Sequence, residues 1–331
     1  MSRGGEPDMK EKLYYGGIDV GGTKIASALF SNDGLILFKE HGATPLEGGP
    51  AAVDEVGRRL EGLERAATEV GGRLAMTGVC VPGIVFPGGS TIWAPNVRGW
   101  VNYTLGDELK KRTGGRFIVV SDRAAYIAGE AWRGAARGAR DAVFLAVGTG
   151  IGAGIMCGGR VIEGHGGVSG AVGWFGLTPV FKPEYAELGC FEAEASGAAV
   201  GRKARESLER GRPSLMLELC GGDINKVDAG VVAEAARRGD PLALAIIESA
   251  AGFLAMGVAN LVSALNPEVV VLGGGLFQAA DLLLEPVRRG FRRWAQPVAA
   301  RSARVELSAL GADAGLYGCG RLAWDAVKGE S

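Results

Sequence analysis

The sequence is poor in the residues that form disulfide frameworks and metal sites. Among 331 residues there are two histidines and five cysteines, and no pair of cysteines has CxxC spacing. An odd number of cysteines without such spacing argues against a disulfide framework and fits a reducing compartment. The stretch from Met1 to Lys12 is polar and lacks the apolar core of a secretion signal. We therefore expect a cytoplasmic protein.

Neither sign of charge dominates the sequence. The 36 lysines and arginines are balanced by 37 aspartates and glutamates, which gives a formal net charge of −1. Such a balance does not select for nucleic acid or for an acidic membrane surface. We expect neither nucleic acid nor a membrane among the partners.

One apolar run could be mistaken for a membrane span. Leu242 to Leu265 carries a single formal charge, at Glu248. Asp240 and Pro241 before the run are typical of a helix N-cap followed by the first helical position. The pattern predicts a buried helix at a domain or subunit interface, which makes a homodimer plausible.

Glycine, in contrast, is abundant, with 56 residues. Two places share one pattern, in which three apolar stretches are separated by tight turns and the first turn is rich in Gly and Thr. The stretches are Tyr14 to Ile18, Ile25 to Phe30 and Leu35 to Phe38 in one place, and Ala142 to Val147, Ala153 to Cys157 and Val161-Ile162 in the other. Both places predict a three-stranded antiparallel meander.

Helical and strand-like segments alternate after each meander. Helical spacing of apolar residues runs from Val53 to Val70, from Leu105 to Leu109, from Val231 to Arg238 and from Ala314 to Val327. Short apolar runs at Leu74 to Val81, Phe117 to Val120 and Val269 to Leu272 predict strands that are buried on both faces. The fold class is therefore α/β.

Two units of this kind imply an internal duplication with a cleft between the halves. That organisation resembles the two-domain actin-like ATPase fold, also called ribonuclease-H-like. We expect an N-terminal domain over residues 13–121, with a closing helix over 314–328 packed back on it. A C-terminal domain would cover 122–313.

The turn of the first meander has the composition of an anion site. It reads Asp19-Val20-Gly21-Gly22-Thr23-Lys24. Glycines let backbone N–H groups face a bulky anion at close range, and Thr23 and Lys24 add a hydroxyl and a cation. Asp19, at a strand end, could hold Mg²⁺ through water. Taken alone, the motif fits a simple glycine-rich hairpin equally well.

The turn Gly148-Thr149-Gly150-Ile151-Gly152 occupies the equivalent place in the second half. Two such hairpins facing each other could clamp a triphosphate. Neither the P-loop pattern GxxxxGK[ST] nor a GxGxxG that opens a helix after a strand is present. A third run, Gly273-Gly274-Gly275, leaves room for a flat ring, and we assign it to the adenosine. It fits a plain strand-to-helix turn nearly as well.

Several motifs together resemble the ROK family of bacterial sugar kinases and related repressors. They are DVGGTK (Asp19 to Lys24), VPG (Val81 to Gly83), APNVRGW (Ala94 to Trp100), GTGIGAG (Gly148 to Gly154), GCFEAEASG (Gly189 to Gly197) and LGGGL (Leu272 to Leu276). They occur in order between about Tyr14 and Ala323. The resemblance implies ATP- and Mg²⁺-dependent phosphorylation of a hydroxyl on a hexose, amino sugar or polyol.

The resemblance also implies roles for individual residues. The family's catalytic base is the aspartate of an Asn-Asp pair after a strand, and Ser121-Asp122 stands at the matching place. Asp122 is therefore the predicted base, although the local sequence fits a helix N-cap before Arg123 to Arg137 equally well. Substrate contacts are expected from Gly83, Asn96, Ser121, Asp122, Trp174 and Glu192. For Glu192, a solvated charge at a helix start is the alternative.

Two family motifs are altered. The GE-x-GH motif becomes Gly170-Ala171-Val172-Gly173-Trp174, and of the zinc motif CxCGxxGC only Cys190 remains, with Pro183 and Tyr185 at the first two cysteine positions. One thiolate without a nearby histidine cannot form a tetrahedral site, so no zinc site is expected. Trp174 could stack on an apolar sugar face or fill the volume of the missing metal.

The main alternative is a catalytically silent ligand sensor or regulatory subunit. The family's repressors carry a DNA-binding domain before the DxGGTK motif, and 18 residues precede Asp19, too few for a helix-turn-helix domain. Both glycine hairpins and Asp122 are retained, which favours the enzyme. An ATPase of the same superfold unrelated to sugars is a third hypothesis, against which the APNVRGW motif argues through the resemblance.

Overall fold

The computed structural model describes residues 12–329, so the polar stretch 1–11 and the expectation based on it lie outside the described residues. The chain forms two compact units. The first unit runs to Ala125 and resumes at Gly315, and the second is Tyr126–Ala314. The domain limits expected from the sequence, 13–121 with 314–328 and 122–313, stay a prediction.

The first unit is an α/β structure. Its strands are β1 (Lys12–Val20), β2 (Lys24–Phe30), β3 (Ile36–Ala43), β4 (Gly72–Val81), β5 (Ile84–Val85), β6 (Ile92–Trp93), β7 (Val101–Tyr103) and β8 (Phe117–Ser121). Its helices are α1 (Gly49–Glu69), α2 (Leu105–Thr113), the start of α3 (Asp122–Arg133), and α12 (Ala314–Gly329). The main sheet has the order β3-β2-β1-β4-β8, and β5-β6-β7 form a small separate sheet.

The predicted first meander is present, because β1 pairs antiparallel with β2 and β2 with β3. Strands β4 and β8 then continue the sheet in parallel with β1. Helix α12 lies directly on the sheet, since a Cβ at Gly78 would come within 2.3 Å of the carbonyl oxygen of Cys319. The thiol of Cys319 also donates to the carbonyl oxygen of Ile18 at 3.4 Å. The end of the chain therefore covers the strands that carry the first glycine turn.

The second unit repeats the pattern. Its strands are β9 (Ala142–Val147), β10 (Ile151–Cys157), β11 (Arg160–Val161), β12 (Val269–Gly273) and β13 (Arg304–Leu307), in the order β11-β10-β9-β12-β13. Its helices are α4 (Tyr185–Leu188), α5 (Cys190–Ala195), α6 (Gly197–Glu209), α7 (Leu215–Leu219), α8 (Ala229–Arg237), α9 (Pro241–Leu265), α10 (Ala280–Trp294) and α11 (Pro297–Ser302). The antiparallel pairing of β9, β10 and β11 confirms the second meander.

Helix α9 is the long apolar run. The Asp240 carboxylate accepts from the N–H of Ala243 at 2.8 Å, and Asn266 ends the helix in the left-handed conformation. Among the described residues, α9 is the helix long and apolar enough to cross a membrane, but 61% of its apolar window is buried within the structure. It packs against α5, α8 and α10 of the same unit, which confirms that the helix is buried. The domain or subunit interface expected for it stays a prediction.

Helix α3 is shorter than the sequence predicts and ends at Arg133 instead of Arg137. The chain leaves the helix at Gly134, where the N–H of Ala135 turns back to the Glu130 carboxylate at 2.6 Å. Glu130 is fully buried and also accepts from the Ser308 hydroxyl at 2.5 Å and the N–H of Leu310 at 3.2 Å. A buried carboxylate needs hydrogen-bond donors, and the chain supplies them here by leaving the helix. The helix therefore ends early, although the residues that follow have helical periodicity.

Candidate active site

Asp122 lies where β8 ends and α3 begins. The hydroxyl of Ser121 accepts from the N–H of Ala124 at 3.2 Å, which is the contact that caps a helix. The Asp122 carboxylate instead accepts from the N–H of the adjacent Arg123 at 2.8 Å. The N-cap hypothesis for Asp122 is therefore wrong, because Ser121 caps the helix. The carboxylate of Asp122 is available for another role.

The surroundings of Asp122 suit a proton acceptor. Burial raises the pKa of the Asp122 carboxyl from 3.8 to about 6, against the opposing effects of the Arg123 guanidinium and N–H and the N–H of Gly83, while Asp19 adds to the rise. Arg123 also donates to the carbonyl oxygen of Gly83 at 3.4 Å. A carboxylate with a pKa near 6 is ionised at neutral pH and still basic enough to take a proton.

The Asp19 carboxylate is held from two sides. The Cys80 thiol donates to its Oδ1 at 3.2 Å, and Gly315, in the first turn of α12, packs on its Oδ2. A hydrogen bond with Cys319, burial and the charge of Asp19 raise the pKa of the Cys80 thiol well above its ordinary value. The thiol therefore stays protonated and keeps donating to the carboxylate.

The first glycine turn is tight and open to solvent. The N–H of Gly21 donates to the carbonyl oxygen of Lys24 at 2.8 Å. The hydroxyl of Thr44 donates to the carbonyl oxygen of Gly21 at 2.7 Å. A Cβ at Gly22 would lie 2.6 Å from the carbonyl oxygen of Asn96, so the turn packs on the APNVRGW segment. Gly22, Thr23 and Lys24 are exposed, which leaves them accessible to a ligand.

The donor set near this turn fits magnesium. Mg²⁺ is typically bound by one or two carboxylates, with waters and substrate phosphates as its other ligands. Asp19 lies at the strand end and supplies one such carboxylate. Its charge raises the pKa of Asp122, so a second carboxylate lies nearby. Across the described residues, 12–329, no group of three or more His, Cys, Asp or Glu side chains is placed to hold a metal ion. A site completed by phosphates and water is consistent with this arrangement.

The second glycine turn carries a glutamate against it. The N–H of Ile151 donates to Oε2 of Glu192 at 2.7 Å, and Gly150 packs against the same carboxylate. Burial raises the pKa of Glu192, and the Ile151 N–H opposes the rise. The hypothesis of a solvated charge at a helix start is therefore wrong. The turn itself is anchored where the N–H of Gly197 donates to the carbonyl oxygen of Gly148 at 2.7 Å.

The third glycine run lies beside the second turn. A Cβ at Gly273 would lie 2.3 Å from the Phe144 ring, and one at Gly274, whose φ is +94°, would lie 2.4 Å from the carbonyl oxygen of Val147. Packing against β9 therefore explains these two glycines. A Cβ at Gly275 would meet nothing within 4 Å, so it is the member of the run with open space. The adenosine assignment stays a prediction.

Trp174 ends a 3₁₀ helix, Val172–Trp174, and is 57% exposed. Gly189, at the start of α5, packs on the backbone of Gly173 and Trp174. Because the indole is mostly in solvent, it does not fill a buried volume. The stacking of Trp174 on a sugar stays a prediction. Cys190, the remaining cysteine of the altered motif, accepts from the N–H of Leu177 at 3.4 Å.

A comparison with family models gives a match over residues 15–326 to the model described as ROK family. The chain belongs to the ROK family. A glucokinase of Thermotoga maritima is 34% identical over 96% of this chain and 99% of its own length. A glucokinase of Halalkalibacterium halodurans is 33% identical, with 93% and 94% covered.

A solved structure extends the likeness to three dimensions. The crystal structure of a ROK family glucokinase from Streptomyces griseus in complex with glucose and AMPPNP matches with a TM-score of 0.77 and 31% identity, over 94% of this chain and 99% of that one. This ROK protein therefore has the two-domain actin-like ATPase fold that its sequence pattern indicates. The predicted family and fold class are confirmed.

Sequence reasoning missed Cys80 and Arg123 as neighbours of the two carboxylates. Arg123 adjoins Asp122 in the chain, so its charge could have been considered directly. Cys80 is paired with Asp19 in the parallel register of β1 and β4. Aligning the two predicted strands would have found it, but a register between strands 61 residues apart is not set by local sequence.

Proposed function

We propose that this ROK protein is an ATP-dependent kinase that phosphorylates a hydroxyl of a sugar, with Asp122 as the general base. The observation that carries the proposal is the Asp122 carboxylate, which is freed from capping by Ser121 and has its pKa raised to about 6. Glucokinase relatives and a solved glucokinase complex with glucose and an ATP analogue support the sugar and the nucleotide. The silent-sensor alternative is not favoured.

The two glycine turns would hold the phosphates of ATP. In the first turn we assign this role to Gly21, Gly22, Thr23 and Lys24, and in the second to Gly148, Thr149, Gly150 and Gly152. Asp19 would hold Mg²⁺ through bound water. When bound there, Mg²⁺ would neutralise charge on the transferring phosphoryl group. The run 273–275 would border the adenosine.

If water lies between Asp19 and Mg²⁺, the Asp19 carboxylate can keep its hydrogen bond from the Cys80 thiol. Asp122 would accept the proton of the attacking sugar hydroxyl as the new O–P bond forms. Little covalent chemistry is required of the protein in such a transfer, so the task of these residues is to position the hydroxyl and the γ-phosphate in line.

The sugar contacts are assigned to five residues. We assign sugar contacts to Gly83, Asn96 and Ser121 in the first unit and to Trp174 and Glu192 in the second. Glu192 can accept hydrogen bonds from sugar hydroxyls while its Oε2 holds the Ile151 N–H. Ala171 supplies no carboxylate, so a hexose, an amino sugar or a polyol bound partly through the Trp174 ring is the proposed substrate class.

The remaining features are part of the same proposal. We propose that the protein acts in the cytoplasm, binds neither nucleic acid nor a membrane, and forms a homodimer. The balanced charge of the chain supports the absence of nucleic acid, and the burial of most of the apolar window of α9 supports the absence of a membrane. The homodimer is proposed from the apolar character of the run Leu242 to Leu265. We also propose that no zinc is bound, because Pro183 and Tyr185 stand where the family motif has cysteines.

Purified protein is expected to phosphorylate at least one member of a panel of hexoses, amino sugars and polyols when ATP and Mg²⁺ are supplied. Calorimetry should show binding of a non-hydrolysable ATP analogue that weakens when Mg²⁺ is removed, because phosphates and water complete the metal site. Binding of sugar and nucleotide without turnover across the panel would instead support the silent sensor.

Turnover at saturating sugar is expected to fall about tenfold per pH unit below about pH 6, because protonated Asp122 cannot accept a proton.

Protonation of Asp122 does not destabilise the folded protein, so unfolding caused by this group does not explain the expected loss of turnover. A carboxyl whose pKa is raised by folding favours the folded state at low pH, and this contribution is lost as the pH rises from 3.8 to about 6. Turnover and melting temperature measured between pH 5 and 8 check both statements, and a flat turnover profile would contradict the first.

A further inference from the structure

Helix α5 carries two glutamates with different surroundings. Glu192 lies against the second glycine turn through the N–H of Ile151. Glu194, which is 4% exposed, is bound on the other side by Lys182 at 2.5 Å, by Lys203 at 2.5 Å and by the Tyr185 hydroxyl. Residues two apart in an α-helix are rotated by about 200°, so the two carboxylates leave the helix on opposite sides.

The four residues Lys182, Tyr185, Glu194 and Lys203 form what we call the Glu194 cluster. Burial alone would raise the pKa of Glu194, but the hydrogen bonds from Lys182, Lys203 and Tyr185 lower it to about 2. Glu194 therefore stays ionised over the whole neutral range. A buried ion pair of this kind is weak evidence of a gain in stability, because removing the charges from water offsets much of their attraction.

The cluster joins separate pieces of the second unit. Lys182 and Tyr185 belong to the segment that connects Trp174 to α5, and Lys203 belongs to α6. Lys203 also donates to the carbonyl oxygen of Glu194 at 2.8 Å, so it holds the C-terminal end of α5 through backbone as well as side chain. At the other end of the helix, Gly189 packs on the backbone of Trp174.

We propose that the Glu194 cluster positions the sugar-binding residues, by fixing the segment that carries Trp174 against the helix that carries Glu192. The inference rests on the proposed function, since it takes these two residues to contact the sugar. Lys182, Tyr185, Glu194 and Lys203 are positioning residues and do not themselves touch substrate. The cluster acts on the affinity for sugar and leaves the phosphate-binding turn of the first unit unaffected.

Glu194→Gln tests the proposal, because it keeps the size of the side chain and removes the charge that both lysines share. The KM for sugar should rise roughly tenfold, since misplacing a binding group by about 1 Å costs up to roughly 10²-fold. Turnover and the Kd of the ATP analogue should change much less than the sugar KM, because the cluster contacts neither Asp122 nor the first glycine turn. Lys182→Met, at a partly exposed position, should shift the sugar KM in the same direction by less.

The matched control is Glu234→Gln, which removes a glutamate from an exposed ion pair with Arg238 in the same unit. It should leave the sugar KM unchanged. An unchanged sugar KM in folded Glu194→Gln would overturn the proposal, as would equal losses in turnover, sugar affinity and nucleotide affinity. If Glu194→Gln does not fold, Lys182→Met decides by the same criteria.

Failure of the proposed function is visible separately in the wild-type protein. If that protein binds a sugar of the panel without phosphorylating it, the kinase proposal fails. The Kd of the same sugar, measured by calorimetry for wild type and Glu194→Gln, then decides the positioning proposal. Weaker sugar binding in the variant supports it, and equal binding overturns it.

Discussion

Asp122→Asn is expected to lower turnover by roughly 10²-fold or more, the usual contribution of a general base. Asparagine keeps an oxygen that can accept from the N–H of Arg123, but it cannot take the proton of the sugar hydroxyl. The helix keeps its cap, because the Ser121 hydroxyl binds the N–H of Ala124. Turnover, melting temperature and the Kd of an ATP analogue measured on this variant check the prediction.

A matched aspartate gives the control. Asp228 is a true N-cap, whose carboxylate accepts from the N–H of Val231 at 2.9 Å at the start of α8. Asp228→Asn should leave turnover near the wild-type value, since asparagine caps a helix about as well as aspartate. Near-normal turnover in Asp122→Asn would remove Asp122 as the base. A large loss of nucleotide affinity in that variant would assign it to binding instead.

Glu192→Gln is expected to lower kcat/KM for the sugar by roughly 10- to 100-fold, which corresponds to the loss of one charge-assisted hydrogen bond of about 1.5–3 kcal/mol. The amide oxygen of glutamine can still accept from the N–H of Ile151, so the second glycine turn should keep its shape. The effect should therefore lie in the sugar KM more than in the Kd of the nucleotide. Steady-state kinetics with sugar and ATP varied separately measure both.

Glu187→Gln is the control for that experiment, because Glu187 is an exposed glutamate on the neighbouring helix α4. It should behave as wild type. If Glu192→Gln weakened the binding of nucleotide and of sugar equally, the carboxylate would be acting through the second glycine turn. Its role would then be to shape the phosphate site and not to hold a hydroxyl.

Local sequence patterns predicted the elements that local chemistry determines. Both meanders and the cap at Asp240 depend on residues close together in the chain, and the structure has them. The family and the fold could be predicted because the motifs occur in order along nearly the whole chain. The strand before Asp122 was predicted from its own apolar run, Phe117 to Val120.

The sequence left a role open or predicted it wrongly where two neighbouring side chains could fill it, or where the partner of a side chain is distant in the sequence. Ser121 and Asp122 are both good caps, and only the helix geometry shows that Ser121 takes the role. Glu192 was open to a solvated interpretation because its partner, Ile151, lies 41 residues away. The early end of α3 depends on Glu130 and its contact with Ser308, 178 residues on. Contacts over such separations are set by topology and not by local propensity.

The position of α12 has a consequence for biosynthesis. Gly315 packs on the Asp19 carboxylate, and the thiol of Cys319 binds the carbonyl oxygen of Ile18, so the first strand of the chain is covered by its last helix. A ribosome delivers residues in order, at roughly 5–20 per second, and domains tend to fold as they emerge. The whole of Tyr126–Ala314 leaves the ribosome before α12 does. The unit of the enzyme that is translated first therefore acquires its complete sheet covering only after the whole second unit has been translated.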